Sequence, residues 1–87
     1  MVSYTYDPAK DAANRAKHGV SLALGPAVIA NAAHIAEDTR ADYGERRFVA
    51  FGYVEERLYV VIYTPRRMGN RIISVRRANT REQKRYG

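Results

Sequence analysis

The second half of the chain contains four segments with the composition of β-strands, and their order limits the folds that the chain can adopt. The segments are "HIAED", "RRFVAFGYV", "LYVVIYT" and "RIISVRR", and the last three are rich in β-branched or aromatic residues. The loop "TRADYGE" follows the first, a tight turn is predicted at Glu55-Glu56, and "PRRMGN" precedes the last. Because these connections are short, we predict an antiparallel meander of three or four strands.

Helical signals come before this meander. After a short strand from Ser3 to Tyr6, Asp7 is a suitable N-cap and Pro8 suits the first helical position. Gly19 suits the position just after a helix. Together these residues predict a helix from Pro8 to His18.

The second helix has a less regular start. Ser21 can cap a helix that continues through Ala33, but Pro26 has no N–H to donate to Leu22. The helix is therefore predicted to begin either at Ser21 or near Gly25.

A third helix is predicted at the end of the chain. "TREQ" has the spacing of a capping box, in which the Thr80 hydroxyl accepts from the N–H of Gln83 and the Gln83 side chain bonds back to Thr80. This pattern predicts a short helix from about Arg81 to Tyr86.

The order of these elements predicts an α+β fold. We expect the N-terminal helices to pack on one face of a small antiparallel sheet, which leaves the other face open, with a short C-terminal helix. Alternation along the last strand places Ser74 and Arg76 on the open face, because burying an unpaired arginine is unfavourable.

The strand before it is predicted by the same alternation. One set of side chains is expected to face the helices, namely Leu58, Val60 and Ile62. Tyr59 and Tyr63 would then lie near Arg76, where tyrosine rings can stack on nucleic-acid bases. The alternative is that both are ordinary half-buried sheet residues.

Length and composition bound the class of protein. With 87 residues, the chain is predicted to form one domain, 1–87. The absence of cysteine excludes disulfides, thiolate metal sites and a cysteine nucleophile, and it favours a reducing compartment. The start of the chain lacks a signal-peptide pattern, and the longest apolar run, Leu58 to Tyr63, is too short to span a bilayer. We therefore expect a cytoplasmic protein.

Positive charge is concentrated in the last quarter of the chain. The net charge is +6; residues 65–87 carry +7, whereas residues 1–64 sum to −1. Most of the basic side chains in residues 65–87 are arginines, which make bidentate contacts with phosphate. This distribution indicates that the chain binds a polyanion or an acidic protein.

Other kinds of functional site are poorly supported. His18 and His34 are the only histidines, and neither has a cluster of carboxylates beside it in sequence. The sequence contains no glycine-rich phosphate loop and no nucleophile elbow. We expect neither a metal nor a cofactor.

Four motifs run in order along nearly the whole chain: "YDPAK…N…KHGVS", "GERRF", "VVIYTPR" and "RIISVRRA…E…RY". With these motifs the chain resembles the BrnT toxin family of bacterial type II toxin–antitoxin systems. The resemblance implies a small RelE-like ribonuclease that is inhibited by a BrnA-type antitoxin, which binds DNA and represses the shared operon.

The resemblance can be followed position by position. The matching residues are Asp7, Lys10, Asn14, Lys17, His18, Gly19, Glu45, Arg47, Thr64, Arg66, Arg71, Ser74, Arg76 and Tyr86. The chain departs from the family pattern at Tyr6, where a tryptophan is usual, and at "LALGPA", where the second helix usually starts with aromatic and acidic residues. The second departure bears on the geometry of that helix and on its antitoxin contacts.

The chemistry implied is metal-independent cleavage of RNA by its own 2′-hydroxyl, which needs positioning, a base, an acid and positive charge. Arg66 and Arg76 are predicted to stabilise the phosphate, with Arg71 and Arg77 next. Candidates for the base are Glu45 and His18, and candidates for the acid are His18 and Tyr86. Asp7 and Asn14 are predicted to be structural. The predicted RNA-binding residues are Lys17, Arg47, Arg67, Ser74, Arg77, Arg81 and Lys84.

The expected partners are an RNA substrate and a BrnA-like antitoxin, with operator DNA reached only through the antitoxin and no membrane. The small core favours a homodimer or a toxin–antitoxin heterotetramer. Two alternatives stay open: a non-catalytic nucleic-acid-binding module that uses the same arginines, and a basic surface that mainly docks an acidic protein.

Overall fold

The computed structural model describes residues 3–87. Its elements are β1 (Tyr4–Thr5), α1 (Pro8–His18), a 3₁₀ helix (Leu22–Leu24), α2 (Gly25–Ala30), β2 (Ala32–Glu37), β3 (Phe48–Val54), β4 (Arg57–Arg66), β5 (Gly69–Arg77) and α3 (Thr80–Tyr86). The α+β class is confirmed. Within the described residues, no helix is long and apolar enough to cross a membrane.

Helix α1 has the predicted ends. The backbone N–H of Ala9 donates to the Asp7 carboxylate at 2.8 Å, which caps the first turn. Gly19 adopts the left-handed conformation with φ of 70°, and its N–H donates to the carbonyl of Arg15. The role of Asp7 as a cap is therefore confirmed.

The second helical segment is divided, as Pro26 indicated. Ser21 caps only the 3₁₀ helix, and α2 begins at Gly25. The prediction that it continues through Ala33 is wrong, because β2 already begins at Ala32. A Cβ at Gly52 of β3 would lie 2.2 Å from the carbonyl oxygen of Val28, so glycine permits α2 to lie directly on the sheet.

The sheet has the order β1-β5-β4-β3-β2. β2 to β5 form the predicted antiparallel meander, and Glu55 and Glu56 make the turn between β3 and β4 with positive φ angles of 50° and 67°. The prediction of a purely antiparallel sheet is wrong at one edge, because β1 pairs with β5 in parallel. Between β1 and β5 the chain forms the N-terminal helices and strands β2 to β4. β5 then runs in the same direction as β1.

The first face of the sheet packs against the N-terminal helical segments. Its buried residues include Ala50, Val61, Tyr63, Ile72 and Val75, which form one cluster with Leu22 and Val28. A bulge lets Ile72 and Val75 share this face: Tyr63 pairs with Ile72 while Ile62 pairs with Ser74, so Ile73 has no partner.

The opposite face, which we call the groove face, carries a second cluster. It consists of Phe51, Leu58, Val60 and Ala78, with Tyr86 of α3 packed against them. Helix α3 therefore covers part of the face that was expected to be open.

Two predictions about β4 are consequently wrong. Leu58 and Val60 lie on the groove face, not against the N-terminal helices, and Ile62 shares their side of the strand. Tyr63 is buried on the opposite face, in the cluster that contains Leu22 and Val28. Tyr59 packs against that cluster as well, so neither tyrosine lies beside Arg76. β4 is apolar on both sides, and alternation alone does not identify which side meets the helices.

The predicted capping box of α3 is displaced by one residue. Asn79, not Thr80, is the N-cap: its side chain accepts from the N–H of Glu82 at 2.8 Å, and the Glu82 carboxylate accepts from the N–H of Asn79 at 2.9 Å. The side chain of Gln83 instead donates to the carbonyl of Ala78.

Candidate active site

A groove of about 370 Å³ lies on the groove face between α3 and the loop that follows β2. Its floor is formed by strand side chains, among them His34, Val60 and Arg76, and its walls include residues 37–40, Glu82 and Tyr86. The register of the strands explains why these side chains lie together on the floor: His34 pairs with Phe51, Phe51 with Val60, and Val60 with Arg76. One row of side chains therefore crosses four strands.

Arg76 is fixed by Glu82. Nη1 and Nη2 of the guanidinium donate to Oε1 and Oε2 of the carboxylate at 2.7 and 2.8 Å. The side chains of Arg76 and Glu82 are 34% and 16% exposed. The hydrogen bonds from Arg76 lower the pKa of the Glu82 carboxyl and raise that of the guanidinium, so the pair stays ionised. Arg76 thus presents a fixed cation whose charge is partly neutralised.

Tyr86 closes the groove at the end of α3. Its ring stacks on Phe51 with centroids 4.0 Å apart, and the ring of His34 lies 4.7 Å from it. These distances are typical of stacked aromatic side chains. The tyrosine, predicted as an acid, is therefore held over the same row of strand residues as Arg76.

Helix α1 brings its basic end to β5, the strand that carries Arg76. Lys10, Lys17 and His18 lie beside Ile73 and Ser74 of β5, around a shallow pocket of about 280 Å³. The pKa of His18 is lowered from its usual 6.5, first by partial burial and then by the charges of Lys17 and Arg76. This shift favours the neutral imidazole at pH 7.

Asn14 anchors α1 at this position. Its buried Nδ2 donates to the carbonyls of Val20 and Val75, both at 2.8 Å, and its Oδ1 accepts from the N–H of Val75 at 3.3 Å. The amide thereby takes the place of a neighbouring strand at the edge of β5. The prediction that Asn14 is structural is confirmed.

The loop after β2 contributes a second fixed arginine. Arg40 donates to both carboxylate oxygens of Asp38 at 2.8 Å, and the Tyr43 hydroxyl donates to the same carboxylate at 3.2 Å. These contacts hold the pKa of the buried Asp38 carboxyl well below its usual range. Arg40 and Arg76 both line the groove, and the positive charge of Arg40 acts on Arg76.

Glu45 and Arg66 lie at the far end of the sheet. Nη2 of Arg66 donates to both oxygens of Glu45 at 3.0 and 3.1 Å. Val60 pairs with Arg76, and Arg66 follows Val60 by six residues along β4. At about 3.4 Å per residue, the backbones of Arg66 and Arg76 are separated by roughly 20 Å. The structure therefore does not bring Arg66 and Glu45 together with Arg76.

The other predicted residues are dispersed. Arg71 pairs with Thr64 between the two ends, Arg67 is exposed in the β4–β5 turn, and Arg77 pairs with Tyr59 on the face away from Arg76. Arg81 and Lys84 are exposed on α3. Ser74 lies one row from Arg76 on the same face.

Arg47 occupies the inner end of the loop. Its guanidinium lies 4.0 Å from the centre of the Tyr43 ring, which is cation–π geometry. Its Nε is buried and has no hydrogen-bond partner among the described residues, and the same holds for the Thr64 hydroxyl. Arg47 is therefore half-buried, with its guanidinium packed against the Tyr43 ring.

The predicted site residues did not include His34, Arg40 and Glu82, which line the groove. Glu82 lies six positions from Arg76 in the sequence, and Arg40 lies two positions from Asp38, so each has an oppositely charged residue nearby. His34 carries no such local signal, because its partners Phe51 and Tyr86 are distant in sequence.

Comparison with known proteins gives the family. No curated protein matches the chain closely enough to be informative. The family described as "Ribonuclease toxin, BrnT, of type II toxin-antitoxin system" matches residues 6–82, a range that includes the Arg76–Glu82 pair and ends before Tyr86. The chain belongs to the BrnT family of ribonuclease toxins of type II toxin–antitoxin systems.

Proposed function

We propose that this toxin cleaves RNA on the groove face, with the scissile phosphate bound at Arg76. The observation that carries the proposal is the position of Arg76, which Glu82 orients and which lines the groove together with Tyr86 of α3. His18 at the end of α1 lies beside Ser74 of the same strand, close enough for the charge of Arg76 to lower its pKa. RNA supplies its own nucleophile in the 2′-hydroxyl, so the reaction as proposed requires no metal ion.

The reaction forms one bond and breaks one. The 2′-oxygen attacks phosphorus as a base removes its proton, the bond from phosphorus to the 5′-oxygen breaks, and an acid protonates that oxygen. The products are a 2′,3′-cyclic phosphate and a 5′-hydroxyl. Arg76 and Arg40 supply positive charge as negative charge accumulates on the phosphate oxygens.

His18 is the residue we assign as the base. The lowered pKa leaves its imidazole neutral and able to accept a proton at pH 7. Tyr86 is the residue we assign as the acid. It contacts Phe51 of β3, two strands and about 10 Å from β5, so the two groups approach the phosphate from different sides.

Glu45 and Arg66 have a different part in this proposal. Because they lie roughly 20 Å from Arg76 along β4, they would contact RNA several nucleotides away from the cut. Lys17, Arg71, Arg81 and Lys84 would attract the RNA backbone. The proposal thereby separates the predicted catalytic residues into a central group and a distal group.

The same proposal extends to the fold type, the cellular location and the antitoxin. We take the fold to be RelE-like, the protein to act in the cytoplasm, and the antitoxin to be BrnA-like, with operator DNA bound only through the antitoxin. Inhibition would follow if an acidic segment of the antitoxin covered the groove, because Arg76 and Arg40 attract carboxylates as well as phosphates.

The proposal is tested by incubating the purified chain with RNA in EDTA. We expect cleavage that is lost in Arg76→Ala and retained in Arg57→Ala, which removes the same side chain from an exposed site at the start of β4. Arg76→Lys keeps the charge without the paired hydrogen bonds and should retain little activity. Circular dichroism establishes that each variant is folded. RNA binding without cleavage at any protein concentration would favour the alternative of a non-catalytic module.

A further inference from the structure

The two edges of the sheet differ in how they are covered. β1 pairs with Asn70 and Arg71 of β5, and the Asn14 amide then bonds to both the N–H and the C=O of Val75. At the other edge, β2 has β3 as its single neighbour within the sheet that the structure describes. The outward N–H and C=O groups of β2 are therefore available to another strand.

β2 lacks the features by which proteins usually protect an exposed edge. Its sequence is "AAHIAE", with one charged residue at the end and no proline. All residues from Ala33 to Glu37 are exposed, and Ile35 is 47% exposed. The register shift between Ala32 and His34 affects only the start of the strand, so His34 to Glu37 pair regularly with β3. The regular part is long enough to accept a second strand.

Charge indicates which strand can pair there. Residues 19–36 contain no Asp, Glu, Lys or Arg, although the whole chain carries +6. Two copies would repel each other through their C-terminal quarters, but β2 carries no unpaired charge: its one charged residue, Glu37, bonds to Arg46. A partner recruited by charge would be acidic and would bind at the arginines of the groove. An edge without net charge therefore suits a second copy of this chain.

We propose that two copies of this chain associate through β2. The strands would pair antiparallel about a two-fold axis, so that each copy offers the same surface and the contact closes on itself. The two five-stranded sheets would join into one sheet of ten strands, with both groove faces on the same side. With a strand spacing of about 4.8 Å, the two β5 strands would lie roughly 34 Å apart.

The absence of cysteine from the chain permits a direct test. Single cysteines are introduced in turn at Ala33, His34, Ile35, Ala36 and Glu37, and each purified protein is oxidised. A disulfide requires Cα atoms within about 7 Å, so residues near the two-fold axis should cross-link to a dimer and those further away should not. The matched control is Met68→Cys in the β4–β5 turn, an apolar position that is 78% exposed and distant from β2.

Analytical ultracentrifugation of cysteine-free protein supplies the second measurement. We expect the unmodified chain to sediment as a dimer, and Ile35→Lys to weaken the dimer about fivefold, because it places a positive charge on each of the two paired strands. Met68→Lys, with the same change of side chain, should remain dimeric. Because Ile35 is half exposed, its substitution leaves the core of each copy unchanged.

Two results would overturn the proposal. One is an unmodified chain that stays monomeric, with the β2 cysteines cross-linking no faster than Met68→Cys. The other is protection of the β2 amides from hydrogen exchange only when the antitoxin is bound, which would assign the edge to the antitoxin. Neither measurement involves RNA, so failure of the dimer would leave the proposed cleavage reaction unaffected.

Discussion

The carboxylate of Glu82 bonds to the guanidinium of Arg76 at 2.7 and 2.8 Å and also accepts from the backbone N–H of Asn79 at 2.9 Å. One side chain thus links the N-cap of α3 to the arginine in the groove. The position of the C-terminal helix and the orientation of Arg76 depend on each other, and a change in either affects both.

This linkage is measurable as a coupling energy. Arg76→Ala leaves the Glu82 carboxylate unpaired and should lower the free energy of unfolding by about 1–2 kcal/mol, below the value for a fully buried pair because Arg76 is a third exposed. Removing both side chains should cost less than the sum of the single changes. Urea denaturation of the two single variants and the double variant measures this difference, and strict additivity would contradict the linkage.

His18 should make stability depend on pH. Because its folded-state pKa is lowered from 6.5, the unfolded chain takes up a proton at a higher pH than the folded chain does. The free energy of unfolding should therefore fall as the pH drops below about 6.5, until the folded-state pKa is reached. Denaturation midpoints measured through this range should show the slope, and His18→Gln should remove it. An unchanged slope in His18→Gln would refute the assignment.

Asp38 and Glu82 should produce a separate loss of stability in acid. Their pKa values are lowered by hydrogen bonds from Arg40 and Arg76, so both carboxylates stabilise the fold above their unfolded values of 3.8 and 4.5. That contribution is lost as the pH falls through the lower folded values. Asp38→Asn should lower the free energy of unfolding at neutral pH. It should also make that free energy fall less steeply as the pH drops below 3.8, because the variant has no carboxylate to protonate. An acid transition identical to that of the unmodified chain would contradict the prediction.

Asn14 should be the most sensitive polar residue of the fold. Asn14→Ala leaves the N–H and C=O of Val75 without partners at a buried position, and it should lower the free energy of unfolding by about 2–4 kcal/mol. The matched control is Asn31→Ala, which removes a single hydrogen bond from an exposed side chain to the carbonyl of Tyr53. The control should cost about 1 kcal/mol or less. Equal losses in the two variants would show that Asn14 does not anchor α1.

Interactions between residues close in sequence were predicted better than contacts between residues that are distant in sequence. α1 was predicted at both ends, because Asp7 and Gly19 act on their own backbone neighbours. The cap of α3 was misplaced by one residue, because "NTREQ" contains two overlapping patterns of the same kind. The Asn79–Glu82 pattern is the one formed, and its Glu82 has a further partner in Arg76, which no local pattern includes.

The site was predicted in part for the same reason. Alternation correctly put Arg76 on the face away from the N-terminal helices, but β4 is apolar on both sides and gave no indication of which tyrosines accompany it. The separation of Arg66 from Arg76 depends on the register between β4 and β5. His34 joins the groove only through its cross-strand neighbour Phe51 and the ring of Tyr86.

The central claim is that the 2′-hydroxyl of RNA attacks the phosphate held at Arg76, and the chemical ends of the products test it most directly. Mass spectrometry of RNA cut by the purified chain in EDTA should find 2′,3′-cyclic phosphate and 5′-hydroxyl ends. A substrate with a 2′-deoxy nucleotide at the cut site should not be cleaved there. Products with 3′-hydroxyl and 5′-phosphate ends, or equal cleavage of the deoxy substrate, would contradict the account.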